Sequence, residues 1–165
     1  MNQYIDDLNR IRQNADTSWL TPNQKAAYTQ LIERWQFLDE INLWGSPGSG
    51  KTFIGWVLHK QGYAIYVSDP KKISSLSVHS AIIVDNCFWS RQAIRKVLQD
   101  CRLLRYQKIV LITSEPAQDQ IACIEVKCSP EDLEKAAQNL RSIRLSASAK
   151  NSHTLWDLVN PIPPR

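Results

Sequence analysis

Eight consecutive residues constrain this chain more than any others: Gly45-Ser46-Pro47-Gly48-Ser49-Gly50-Lys51-Thr52. They satisfy G-x-x-x-x-G-K-[ST] at every position. An apolar run, INLW, precedes them, and a helix-patterned run, TFIGWVLHK, follows. The glycines let the backbone curl so that its N–H groups face inward, and the helix start adds partial positive charge. Such a loop is a cradle for nucleotide phosphates, ATP or GTP. Lys51 is placed to reach the outer phosphates and Thr52 to bind Mg²⁺ through its hydroxyl. A flexible Gly/Ser turn holding a chance lysine would need neither the strand before it nor the helix after it.

The rest of the chain supplies the fold that such a loop requires. Residues 1–18 place Tyr4, Ile5, Leu8 and Ile11 at helical spacing, and Thr21-Pro22 opens a second helix. Strands follow at 40–44, 63–68, 80–86, 108–113 and 121–128. Helices are expected from Lys51 to about Gln61, ended by Gly62, and over about 89–105. Ser129-Pro130, with Asp132 three residues after the cap, starts a last helix running to about Ile143. Alternating helices and apolar strands predict an α/β three-layer sandwich around a five-stranded parallel sheet, and the cradle motif marks that sheet as a P-loop NTPase's. At 165 residues the length fits one domain. N-terminal helices (1–39) lie on a nucleotide-binding core (40–128), followed by a reduced lid helix (129–145) and a tail (146–165). The tail is expected to be loosely held, docking through Leu155, Trp156, Leu158 and Val159.

Ile82-Ile83-Val84-Asp85 reads as the metal-side strand, an apolar run ending in a carboxylate beside the magnesium. On its own, an aspartate closing a buried strand means little; downstream of a full cradle it gains the metal-side role. The fourth strand ends in Thr113-Ser114, and either hydroxyl is a candidate to face the outer phosphate.

Taken in order, LWGSPGSGKTF, YAIYVSDP, AIIVDN and KIVLITSEP resemble the core of AAA+ ATPases, in texture the replication-initiator and helicase-loader branch. IEVKCSPEDLEKAAQNL is similar to that family's last core strand and first lid helix. The resemblance covers about residues 40–140 and implies strand order 5-1-4-3-2, with ATP-Mg²⁺ at the carboxyl ends of the strands. It implies for Ser68 a place among the polar residues that restrain the catalytic carboxylate. Three departures accompany it. Asn86 stands where the family has a second carboxylate, and an amide orients a water but does not take its proton. Asp69 is the nearest alternative, though Pro70 marks it as a turn residue. SEPAQDQ carries no arginine where the family places one that acts on a neighbouring subunit's γ-phosphate. The lid is a single helix, with Arg141 and Arg144 as its only sensor candidates.

Net charge is +4, so the distribution of basic residues matters more than their number. In RQAIRKVLQDCRLLR, helical geometry sets Arg91, Arg95, Arg102 and Arg105 within about 80° of one another. Such a stripe suits nucleic-acid phosphates, an acidic partner or ATP in a neighbouring subunit; a merely solvated face with local pairing is the simpler alternative. The four cysteines form no CxxC pair and read as buried reduced thiols. Of six tryptophans, Trp19, Trp89 and Trp156 lie near element ends as possible partner anchors, and the three histidines show no ligand spacing. MNQYIDDLNRIRQ has no apolar signal core, and no run reaches membrane-spanning length, so a cytoplasmic protein is expected. Three readings result. The first is an ATP-binding switch or recruiter in a nucleic-acid-processing complex, with slow or partner-dependent hydrolysis. The second is a nucleotide-dependent protein-interaction module without nucleic acid, and the third a small-molecule kinase. A protein partner or homo-oligomer and DNA or RNA are the partners considered, with no membrane.

Overall fold

A computed structural model describes residues 3–74 and 80–159. His79 and the Pro-rich end of the tail lie outside these residues. Five strands, β1 (Glu40–Trp44), β2 (Ile65–Val67), β3 (Ala81–Cys87), β4 (Lys108–Thr113) and β5 (Ala122–Glu125), form one sheet. Every pairing is parallel and the order is β2-β3-β4-β1-β5, the expected 5-1-4-3-2 read from the other edge. The helices are α1 (Gln3–Gln13), α2 (Pro22–Trp35), α3 (Lys51–Lys60), α4 (Arg91–Leu103), α5 (Pro130–Ser142) and the short α6 (Leu155–Val159). Among the described residues, no helix is long and apolar enough to cross a membrane.

Side chains alternate along the central strands and build a core on each face. Ile83, Val110 and Ile112 face α2 and α3, packing with Leu31, Ile54 and Leu58. Ile82, Val84, Ile109 and Leu111 face the other way, onto Ile94, Leu98 and Cys101 of α4. A third cluster joins Ile11 of α1, Leu133, Ala137 and Leu140 of α5, and Leu158 of α6. It closes the carboxyl end of the sheet.

Asp132 ties this cap to the core. Its fully buried carboxylate accepts from the Asn23 backbone N–H (2.9 Å) and Nδ2 (2.6 Å), and from the Ser129 N–H and hydroxyl (both 2.7 Å). One side chain thus satisfies orphan donors at the starts of both α2 and α5. Burial raises its pKa, but these hydrogen bonds outweigh it and hold the carboxyl below its ordinary value.

Several boundaries differ from expectation: β2 spans Ile65–Val67 rather than 63–68, and β3 spans Ala81–Cys87 rather than 80–86. The helix after β3 ends at Leu103 rather than 105, because Arg105 takes a left-handed φ of 66°. The Tyr106 N–H then donates to Cys101 O at 3.1 Å, and the Tyr106 side chain is buried in the α4 core. This is a Schellman closure, with an arginine where glycine is usual. Arg105 therefore lies beyond the helical stripe. The fifth strand stops at Glu125, and only the Val126 N–H extends its pairing, donating to Trp44 O at 2.7 Å.

Candidate nucleotide site

The cradle sits where β1 hands over to α3. Gly50 caps the helix at φ 91°, a conformation open to glycine at little cost. The buried Gln24 amide lies directly over it, donating to Gly50 O at 3.2 Å while its oxygen accepts the Thr21 N–H at 3.0 Å. α2 thereby fixes the loop from behind. From above, the Leu155 N–H donates to Gly48 O at 2.9 Å, and Thr154 leaves no room for a side chain at residue 48. The start of α6 is thus pinned to the phosphate loop.

Lys51 Nζ donates to Gly45 O (2.5 Å) and Ser46 O (2.9 Å) and lies 3.4 Å from Ser49 Oγ. Burial lowers its pKa, against the opposing pull of Asp85. An ammonium held by neutral carbonyls has a stronger acceptor in any phosphate oxygen placed beside it.

Asp85 is buried and triply hydrogen-bonded. Its Oδ2 accepts from Thr52 Oγ1 at 2.6 Å and from the Tyr66 hydroxyl at 2.7 Å, and its Oδ1 accepts the Asn86 N–H at 2.7 Å. The strand bulges here. Val84 pairs with Leu111, but Cys87 pairs with Thr113, so Asp85 and Asn86 together oppose one residue of β4. Asn86 takes φ 54° and is exposed. Its Nδ2 donates to Ser68 O at 2.8 Å, while Ser68 Oγ accepts from Lys72 at 2.7 Å. An amide fits beside that carbonyl, whereas a carboxylate would set oxygen against oxygen. Asp69 is a turn residue, accepting the Lys71 N–H at 2.7 Å and pairing with Lys72.

Thr113 is buried with its hydroxyl committed. It donates to Glu115 O at 2.6 Å and accepts from Asn42 Nδ2 at 2.8 Å. Asn42 Oδ1 in turn accepts the Ala117 N–H at 2.9 Å. Ser114, half-buried beside it, also reaches the cavity wall.

These groups line one cavity of about 930 Å³ that holds Gly48, Gly50, Lys51, Thr52, Asp85, Thr113 and Ser114 on one side and Trp19, Asn139 and Leu155 on the other. Among the described lining residues, Lys51 is the one cation and Asp85 the one carboxylate. The oxygen donors of Thr52 and Asp85 fit Mg²⁺, which binds through one or two carboxylates plus substrate phosphates rather than in a protein cage. No group of three His, Cys, Asp or Glu that could hold a metal occurs among the described residues.

The arginine stripe lies apart from this cavity. Arg91 and Arg95 both pair with Asp119 (3.7 and 3.1 Å), and Arg102 pairs with Glu40. The segment SEPAQDQ, read for its missing arginine, instead supplies the stripe's counter-charge. The Gln120 N–H and then Arg95 hold the Asp119 carboxyl below its usual pKa. Arg141 bonds Ala147 O and Glu134 on the surface, and Arg144 closes α5 at φ 64°. All four cysteines are free, and burial pushes Cys87 and Cys101 up to about 12.

Sequence reasoning missed Gln24, Asn42, Tyr66 and Asp119, whose contacts run between elements distant in the chain. Tyr66 alone carried a signal: an aromatic residue near the end of a strand neighbouring Asp85.

No protein-family model matches this sequence, and no curated relative does. Solved structures do. A DNA replication initiation factor matches at 13% identity and TM-score 0.52, over 82% of this chain and 57% of that one. AMPPCP-bound DnaA from Aquifex aeolicus matches at 15% identity and TM-score 0.52, over 86% and 61%. The RuvB Holliday junction branch migration motor of Thermotoga maritima matches at 16% identity and TM-score 0.51, over 92% and 59%. The chain spans about three fifths of the length of each. At these identities the likeness is one of fold, and the fold implied by the AAA+ resemblance is the fold of this chain.

Proposed function

We propose that this protein binds ATP-Mg²⁺ in the cytoplasm and acts as a nucleotide-dependent switch or recruiter for a nucleic-acid-processing complex, with slow or partner-dependent hydrolysis. The observation that carries the reading is the convergence of Lys51, Thr52 and Asp85 on one cavity in which Asp85 is the only carboxylate among the described lining residues. Backbone N–H groups of the loop and Lys51 hold the phosphates. Thr52 and Asp85 hold Mg²⁺, which supplies charge neutralisation at the outer phosphates. Asn86 orients a water without accepting its proton, and no described arginine lines the cavity. A neighbouring chain, another copy or a different protein, is left to supply what fast hydrolysis needs. The nucleic-acid setting is supported by fold likeness to a replication initiation factor, DnaA and RuvB.

A second reading, a protein-interaction switch without nucleic acid, is favoured by the pairing of three stripe arginines and by exposed Phe88. The Phe88 ring lies 4.2 Å from that of Trp89 at the cavity wall. The kinase reading needs further charged groups for its substrate, which the described lining does not offer.

The test is titration with ATP, ADP and a non-hydrolysable analogue, following oligomer size and turnover together. Saturable binding with very low turnover is expected. Brisk turnover by the purified protein, abolished by Lys51→Ala, would sink the slow-hydrolysis part. Salt-dependent DNA or RNA binding that responds to ATP separates the first reading from the second.

A further inference from the structure

We infer that Tyr66 is a positioning residue that fixes the Asp85 carboxylate for Mg²⁺, and that Arg12 links this setting to helix α1. The inference rests on the ATP-Mg²⁺ reading of the cavity. An ionised carboxylate has about four acceptor positions. In Asp85 three are filled: both on Oδ2, by the Thr52 and Tyr66 hydroxyls, and one on Oδ1, by the Asn86 N–H. The carboxylate is locked against rotation, and its one remaining acceptor position is on Oδ1. Thr52 would donate to Asp85 in any case if its oxygen binds the metal. Tyr66 is the addition that decides which oxygen stays available.

The ring is placed for this by three neighbours. Gly55 of α3 lets it lie against the helix, since a Cβ at residue 55 would stand 3.1 Å from both Cδ2 and Cε2 of Tyr66. Trp56 meets it edge to face at 6.5 Å. The Arg12 guanidinium lies 5.9 Å from the centroids of both the Tyr66 and Trp56 rings, a cation–π arrangement. Arg12 is exposed on α1, so one aromatic ring connects an N-terminal surface helix to the metal-side carboxylate. Anything that takes hold of α1 would reach Asp85 through this ring.

The test compares ATP affinity in Mg²⁺ with that in EDTA, and the readout is the ratio of the two. Tyr66→Phe keeps the ring and removes the hydroxyl; the ratio is expected to fall about 5- to 10-fold, because a carboxylate no longer held in place must be ordered when Mg²⁺ binds. Gly55→Ala keeps the hydroxyl, improves helix propensity and displaces the ring by a few tenths of an ångström; a smaller fall in the same direction is expected. The double variant should be no worse than Tyr66→Phe, and Arg12→Gln should lower the ratio about twofold. Thermal melts verify that each variant folds. An unchanged ratio in both Tyr66→Phe and Gly55→Ala overturns the proposal, as does strict additivity in the double variant. If the wild-type protein binds ATP with no gain from Mg²⁺, the metal reading falls and the proposal with it. If it binds no ATP, the proposed function itself fails.

Discussion

The cradle and the outer face of α4 both carry conspicuous basic residues, and the structure uses them in opposite ways. Lys51 is half-buried, and its partners are loop carbonyls, neutral groups that a phosphate would outcompete. Arg91, Arg95 and Arg102 are exposed and already face carboxylates. Identical formal charge therefore means a cation held by neutral groups at one place and a neutralised surface at the other. What separates them is the partner. Asp85, in a cavity with no arginine among its described lining residues, accepts hydrogen bonds from three neutral donors, whereas Asp119 serves two arginines.

That contrast is broken most strongly at Lys51. Lys51→Ala should weaken ATP binding about 100-fold or more, read by calorimetric titration, because several charge-assisted contacts vanish together. The next largest effect should be on stability. Asp132→Ala leaves buried donors on Asn23 and Ser129 without an acceptor and should cost about 2–4 kcal/mol in denaturant unfolding. Its folded pKa lies below the unfolded value of about 3.9, so its contribution is full above that pH and is lost as pH falls through the folded pKa. Asp132→Asn should flatten that acid limb of the stability curve.

At the outer face the expected effects are small. Arg95→Ala and Arg102→Ala should each change stability by less than about 0.5 kcal/mol, since both arginines are exposed, and ATP affinity should stay within about twofold. The contrast is sharpened by removing the counter-charge. Asp119→Ala frees Arg91 and Arg95 together, and salt-dependent DNA binding should rise if the stripe meets phosphates. No change in DNA binding across Asp119→Ala and charge reversal at Arg95 and Arg102 would favour the protein-only reading.

The cradle was legible in the sequence because its geometry is local. Eight contiguous residues set their own backbone, and the strand and helix beside them are marked by hydrophobic period. The strand order followed from the resemblance, and the alternation of Ile82 to Val84 across two cores required a covered parallel sheet. The network around the site was not legible in the same way. Asn42 holds Thr113 only because β1 lies beside β4, and Tyr66 reaches Asp85 only because β2 lies beside β3 and residue 55 is glycine. Helical angles alone define the stripe in the sequence. Angles do not show that Asp119 crosses α4, nor that Tyr106 pulls Arg105 into a left-handed turn.

The central claim is that this chain's own cradle, with Thr52 and Asp85, holds ATP-Mg²⁺. It is tested most directly by calorimetric titration of ATP into wild-type protein and Lys51→Ala, each with Mg²⁺ and with EDTA. The account predicts saturable binding to one site in the wild type, weakened by EDTA and lost in the variant. Equal binding by the two proteins, or no saturation of the wild type at millimolar ATP, would contradict it.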